Sequence, residues 1–219
     1  MSIAENLARV RERLDRACQR AGRLPEEITL VAVAKGVGPE KILEAHSLGI
    51  RHFGENRVQE VQGKISGLKH LDITWRMVGH LQTNKAKLAL ELFHTVDSVD
   101  SLLLAQALSR RALAPLPIML EVNVSGEATK FGFLPEALPL ALEEIARLPN
   151  LEVRGLMTVA PQVKDPQEVR PVFSRLRGMA QALGLKELSM GMSDDFEVAI
   201  EEGATQVRLG RAIFGPMAW

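Results

Sequence analysis

The sequence contains no tyrosine, so no mechanism that needs a tyrosine phenol as acid or base is open to this chain acting alone. It has one cysteine, Cys18. A single thiol makes neither an internal disulfide nor a thiolate cluster, so a reduced, cytoplasmic protein is expected. Neither sign of charge is in excess: Lys+Arg is 27 and Asp+Glu is 27. A chain that lives on nucleic acid or anionic lipid carries a basic surplus, so neither partner is expected. No apolar run approaches the ~20 residues of a membrane-spanning helix. The N-terminus, MSIAENLARVRERLDR, has no signal-peptide apolar segment. The histidines at 46, 52, 70, 80 and 94 show no H-x-x-x-H pairing, and no metal site is expected. Nucleophile-elbow and Walker-type phosphate loops are also missing.

What is present reads as one globular domain over residues 1–219, with 46% hydrophobic and 25% charged residues. Ser2 and Glu5 form a capping-box pattern at the start of a helix. Ile3, Leu7, Val10, Leu14, Ala17 and Ala21 recur at helical spacing until Gly22, with Cys18 bordering the stripe. Arg9, Arg13, Arg16 and Arg20 fall opposite, as a solvated face laced with Glu12 and Asp15.

Beyond that helix the chain alternates short apolar strands with helices. Strands are expected at Ile28–Lys35, His52–Asn56, Ile73–Val78, Phe93–Val96, Pro117–Val124, Leu151–Val159, Glu187–Met190 and Thr205–Leu209. Helices are expected between them, among them Ser98–Arg111 and Asp194–Glu202. Such strands argue an α/β protein with a parallel sheet, and eight units closing on themselves make a (β/α)₈ TIM barrel with an extra N-terminal helix. An open doubly wound sheet is the competing arrangement, because counting units does not establish closure.

Barrel chemistry sits at the C-terminal ends of the strands. Lys35 tops the first strand, sharing a face with Thr29, Val31 and Val33. Desolvation there makes an amine a nucleophile toward carbonyls, whereas a snorkelling lysine reaches solvent and does nothing further. In the last strand Arg208 shares a face with Gly210, where backbone N–H groups can approach an anion. Ser193 is placed to cap the helix carrying Phe196, Val198 and Ile200, or to contact a phosphate. Asn56 and His80 end the second and third strands, where each either binds a ligand or ties a loop. Asn123–Gly126 leads into a polar stretch with Lys130, a candidate cover for the mouth.

The segments VAVAK (31–35), HFGENRVQE (52–60), GHLQTNK (79–85), LSMGMSDDF (188–196) and VRLGRAIFG (207–215) together resemble the pyridoxal phosphate homeostasis protein family. Those proteins are similar to the alanine racemase N-terminal barrel without its second domain. The resemblance implies pyridoxal 5′-phosphate (PLP) bound as a Schiff base on Lys35. It implies Arg208 facing the pyridine nitrogen, and phosphate contacts from Ser193 and the backbone of Gly210 and Arg211; Asn56 and His80, from their strand ends, are taken with these as the cofactor-binding set. An arginine at the pyridine nitrogen makes the ring a poor electron sink, because it only donates. With tyrosine missing as well, the implied role is a non-catalytic carrier that stores, delivers or buffers PLP. Apo PLP enzymes are the possible recipients, and the carrier is expected to be a monomer. The alternatives are a low-activity amino-acid racemase using Lys35 as base, and an aldolase-type barrel. Against the family pattern stand Ala34 before the lysine, Arg211 where a hydroxyl is common, and Arg76 where histidine is common.

Overall fold

The computed structural model describes residues 2–216. Its strands are β1 (Thr29–Val33), β2 (His52–Glu55), β3 (Thr74–Met77), β4 (Thr95–Val99), β5 (Leu116–Glu121), β6 (Leu151–Met157), β7 (Glu187–Ser189) and β8 (Gln206–Leu209). The helices are α1 (Ile3–Ala21), α2 (Pro39–Ser47), α3 (Val58–Leu68), α4 (Ala86–Leu92), α5 (Leu102–Ser109), α6 (Leu138–Ala146), α7 (Arg170–Ala182), α8 (Phe196–Glu201) and α9 (Arg211–Phe214). All neighbouring strands pair in parallel, and β1 pairs with β8 through Thr29↔Gln206 and Val31↔Arg208. That last pairing closes the barrel and excludes the open sheet.

α1 begins as its residues require. Ser2 Oγ accepts from the Glu5 N–H at 3.2 Å, and the Ser2 N–H donates to Glu5 Oε2 at 2.8 Å. Its apolar stripe is buried from Ile3 to Cys18, and burial pushes the Cys18 thiol up from its ordinary value. The arginine face is less solvated than expected. Arg13 pairs with Glu197 of α8 at 3.0 Å and lies 4.5 Å over the Phe196 ring, while Arg20 pairs with Glu201 at 2.6 Å. α1 therefore docks on α8 through the edge of its basic stripe as well as its apolar one.

Two element boundaries differ informatively from the sequence expectation. β1 stops at Val33, and Ala34–Val37 forms a tight turn closed by Val37 N–H on Ala34 O at 3.0 Å. Gly36 takes φ +67°, a conformation that suits glycine at the third position of such a turn. Lys35 thus sits in the turn beyond the strand. β4 runs on to Val99, and α5 starts at Leu102 rather than near Ser98. Asp97 and Ser98 look like helix-start residues, yet both are fully buried in the strand and hydrogen-bonded there.

The two faces of the barrel have different chemistry. Directly paired residues of parallel strands share a face. One face carries Phe53, Trp75, Ile118, Leu120, Leu156, Leu188, Val207 and Leu209 in the apolar core between sheet and helices. The other, inner face carries Val33, Gly54, Arg76 and Thr95 in one register row. A side chain at Gly54 would press on Val31 and Val78 at 3.1 Å, so the lumen is filled rather than open.

Candidate functional site

A chain of polar groups crosses the lumen. Arg76 Nε donates to Asp97 Oδ2 at 2.8 Å, and Gln206 Nε2 donates to the same oxygen at 2.7 Å. Thr95 Oγ1 donates to Asp97 Oδ1 at 2.8 Å. Gln206 Nε2 also reaches Ser189 Oγ at 2.7 Å, and Ser189 Oγ accepts from Arg208 Nη1 at 2.7 Å. Arg208 Nη2 donates to Thr158 O at 2.7 Å. Buried ions are tolerated only with such partners, and every link here except Thr95 to Asp97 joins residues at least 17 apart in sequence.

The outcome of the network is a fixed Arg208. It is 4% exposed, and each terminal nitrogen makes one hydrogen bond, which leaves Nε–H and one N–H on each terminal nitrogen for other acceptors. Burial lowers its pKa from the ordinary guanidinium value, opposed by Glu121, Asp97 and Asp195. Glu121, the last residue of β5, is 8% exposed, and burial raises it to about 7 although Arg208 pulls it down. His52 on the inner face is held below its ordinary value, first by burial and then by the Arg76 charge.

The expected site residues fall into two groups. Lys35, Asn56, Ser193, Arg208, Gly210 and Arg211 all lie at the C-terminal end of the adjacent strands β7, β8, β1 and β2. Lys35, Asn56, Ser193 and Gly210 are half-buried, and Arg211 is exposed. Ser193 does not cap α8, whose N-cap is Asp195. Its Oγ instead accepts from the Ala212 N–H at 3.1 Å, which sets a hydroxyl beside the backbone N–H groups that open α9. The reason is Gly191: at φ +92°, with an added Cβ only 2.6 Å from Ala199 Cβ, it turns the chain so that Met192–Asp195 closes its own loop. Asp194, which adds negative charge beside Ser193, is paired with the Arg211 guanidinium.

His80 stands apart from this group. It is exposed at the rim, paired with Asp100 and stacked on Phe131 with ring centroids 3.8 Å apart. The candidate cover is a pinned loop. Asn123 Nδ2 donates to Glu127 O at 2.9 Å, and Lys130 Nζ donates to Val159 O at 3.1 Å. Arg76, whose role the sequence left open, is the far anchor of the polar chain that holds Arg208.

Sequence reasoning missed Asp97, Glu121, Ser189 and Gln206. The available signal was a polar residue at alternate positions of a strand with apolar flanks, which on a barrel's inner face marks the lumen.

The family model for the alanine racemase N-terminal domain matches residues 5–218. The pyridoxal phosphate homeostasis protein of Pseudomonas aeruginosa is 47% identical over 219 residues, spanning 98% of this chain and 95% of that protein. That of Aquifex aeolicus is 45% identical and covers 98% of each chain. The structure of PipY from Synechococcus elongatus with PLP bound has a TM-score of 0.85 at 38% identity, covering 98% of this chain and 100% of that one. An alanine racemase from Clostridium difficile, at 15% identity and a TM-score of 0.75, shares the fold; this chain spans 56% of its length. With 47% identity to a relative across nearly its whole length, this chain belongs to the pyridoxal phosphate homeostasis protein family.

Proposed function

We propose that the chain binds PLP in the mouth of its barrel, held covalently through the Lys35 amine, and acts as a carrier that stores, delivers or buffers the cofactor. One observation carries the reading: an amine, a buried guanidinium with donors left over, and a hydroxyl beside backbone N–H groups converge on one end of four adjacent strands. That donor set suits a flat, anionic aldehyde. Bound there, PLP supplies a carbonyl that condenses with an amine, and a ring that draws electrons.

The chain's own residues set the rest. Lys35 supplies the amine at the end of β1. Arg208 offers Nε to the ring nitrogen and keeps a proton off it, since a guanidinium only donates. Ser193 and the backbone at Gly210 and Arg211 take the phosphate, with the Arg211 charge beside it. Asn56 lies on the neighbouring strand end as a further polar contact, and His80 holds the rim. Withholding the ring proton weakens carbanion stabilisation, which favours carriage over catalysis. Residues 1–219 act in this reading as one domain, a monomer of the cytoplasm, handing PLP to apo enzymes that need it.

A second reading, slow amino-acid racemisation with Lys35 as base, draws support from Glu121, a lumen carboxyl poised near 7. Incubation with single-enantiomer alanine in deuterated water separates the two: exchange of the α-proton at enzymatic rates supports racemisation, and no exchange supports the carrier. For the main reading, borohydride reduction of the PLP-loaded protein followed by peptide mass mapping is expected to place the label on Lys35. Lys35→Ala is expected to lose the visible absorbance. A label on another residue, or none, overturns the reading.

A further inference from the structure

The turn that carries Lys35 is gripped from one side by α3. Lys64 Nζ donates to Ala34 O at 2.7 Å, so the residue before Lys35 is held by its carbonyl. Glu60 Oε2 accepts from the Gly36 N–H at 3.0 Å, so the residue after Lys35 is held by its amide. The two clamping side chains are themselves 3.8 Å apart, one helical turn from each other. Lys64 also donates to Glu55 Oε1 at 2.7 Å, and it is only 11% exposed.

Glu55 shows what the arrangement costs. It ends β2 in register with Met77, on the face turned to the helices, and is 0% exposed. Its Oε2 has no hydrogen-bond partner within the protein. Burial, only partly offset by Lys64, pushes it up to about 7. A hydrophobic residue would fill such a place at lower cost. What Glu55 does here is anchor the ammonium that holds Ala34.

We infer that Lys64 and Glu60, with Glu55 as anchor, are positioning residues for Lys35: they clamp the peptide groups on both sides of it and so fix where its amine stands. The inference rests on the proposal that Lys35 is the attachment lysine, but the clamp itself is measurable without any cofactor. Both grips come from a single helix, so the turn and α3 move as one unit. Loss of either grip frees the turn to sample other geometries, and a small misplacement of a reacting group slows its reaction steeply.

The test uses the full chain and two variants, Lys64→Met and Glu60→Ala. In the apo protein, hydrogen exchange at the Gly36 amide is expected to speed up at least about tenfold in Glu60→Ala, because its acceptor is gone. On adding PLP, both variants are expected to gain visible absorbance about tenfold more slowly than wild type, while the borohydride-fixed label at the end point stays on Lys35 at wild-type stoichiometry. Unchanged Gly36 exchange in Glu60→Ala, or wild-type loading rates in a folded variant, overturns the inference. Glu60 is partly exposed, so Glu60→Ala carries the test if Lys64→Met does not fold. If wild-type protein takes no label at Lys35, the cofactor reading fails, and the exchange measurement still decides the clamp.

Discussion

Replacing Glu121 with glutamine alters how stability depends on pH, and the size of the change follows from the site. In the folded chain the Glu121 carboxyl is raised from an ordinary 4.5 to about 7, chiefly by burial. The folded state therefore holds a proton that the unfolded chain has already released between those two values. Stability from this group is fully present below the unfolded pKa and is lost as pH rises through the folded one. Between about pH 5.5 and about pH 8 the loss is about 2 kcal/mol. Glutamine does not titrate, so Glu121→Gln lacks this component. Urea unfolding of the apo protein at the two pH values measures it, with buried Trp75 among the fluorescence reporters. Glu55, raised to about 7 by burial, titrates in the same direction in both proteins, so the variant keeps part of the slope. The expected result is a fall in stability from low to high pH that is smaller in the variant by about 2 kcal/mol. Parallel curves for the two proteins would falsify the placement of Glu121 in a desolvated lumen.

Ser189→Ala removes the acceptor shared by Arg208 and Gln206, and is expected to cost roughly 1–3 kcal/mol of stability. PLP affinity should fall about fivefold to tenfold as Arg208 loses its tether, read by titrating the visible absorbance; unchanged affinity would mean that Ser189 does not hold Arg208 for a ligand. Gly155→Ala would set a Cβ 1.9 Å from Glu187 O across the β6–β7 pairing. It is expected to destabilise the barrel by about 3 kcal/mol in urea unfolding, and a near-neutral result would contradict that close approach.

Local order was legible along the chain because it arises from neighbouring residues. The capping box of α1 and Gly22 at its end follow from contacts three or four residues apart. So did the alternation that set Arg208 opposite Val207 and Leu209, and the count of strand–helix units that made a closed barrel the leading expectation. Closure itself rests on the Val31↔Arg208 pairing, which joins the two ends of the chain and leaves no local mark. The limits of β4 failed for a related reason. Polar residues in sequence read as loop or cap, and only the closed lumen supplies Asp97 with Arg76 from β3 and Gln206 from β8. Burial decides the rest: Glu121 and Glu55 become groups poised near 7 because the folded chain strips water from them. The grip of α3 on the Lys35 turn arises the same way, from side chains that meet only once the strands have closed and the helix has packed over them.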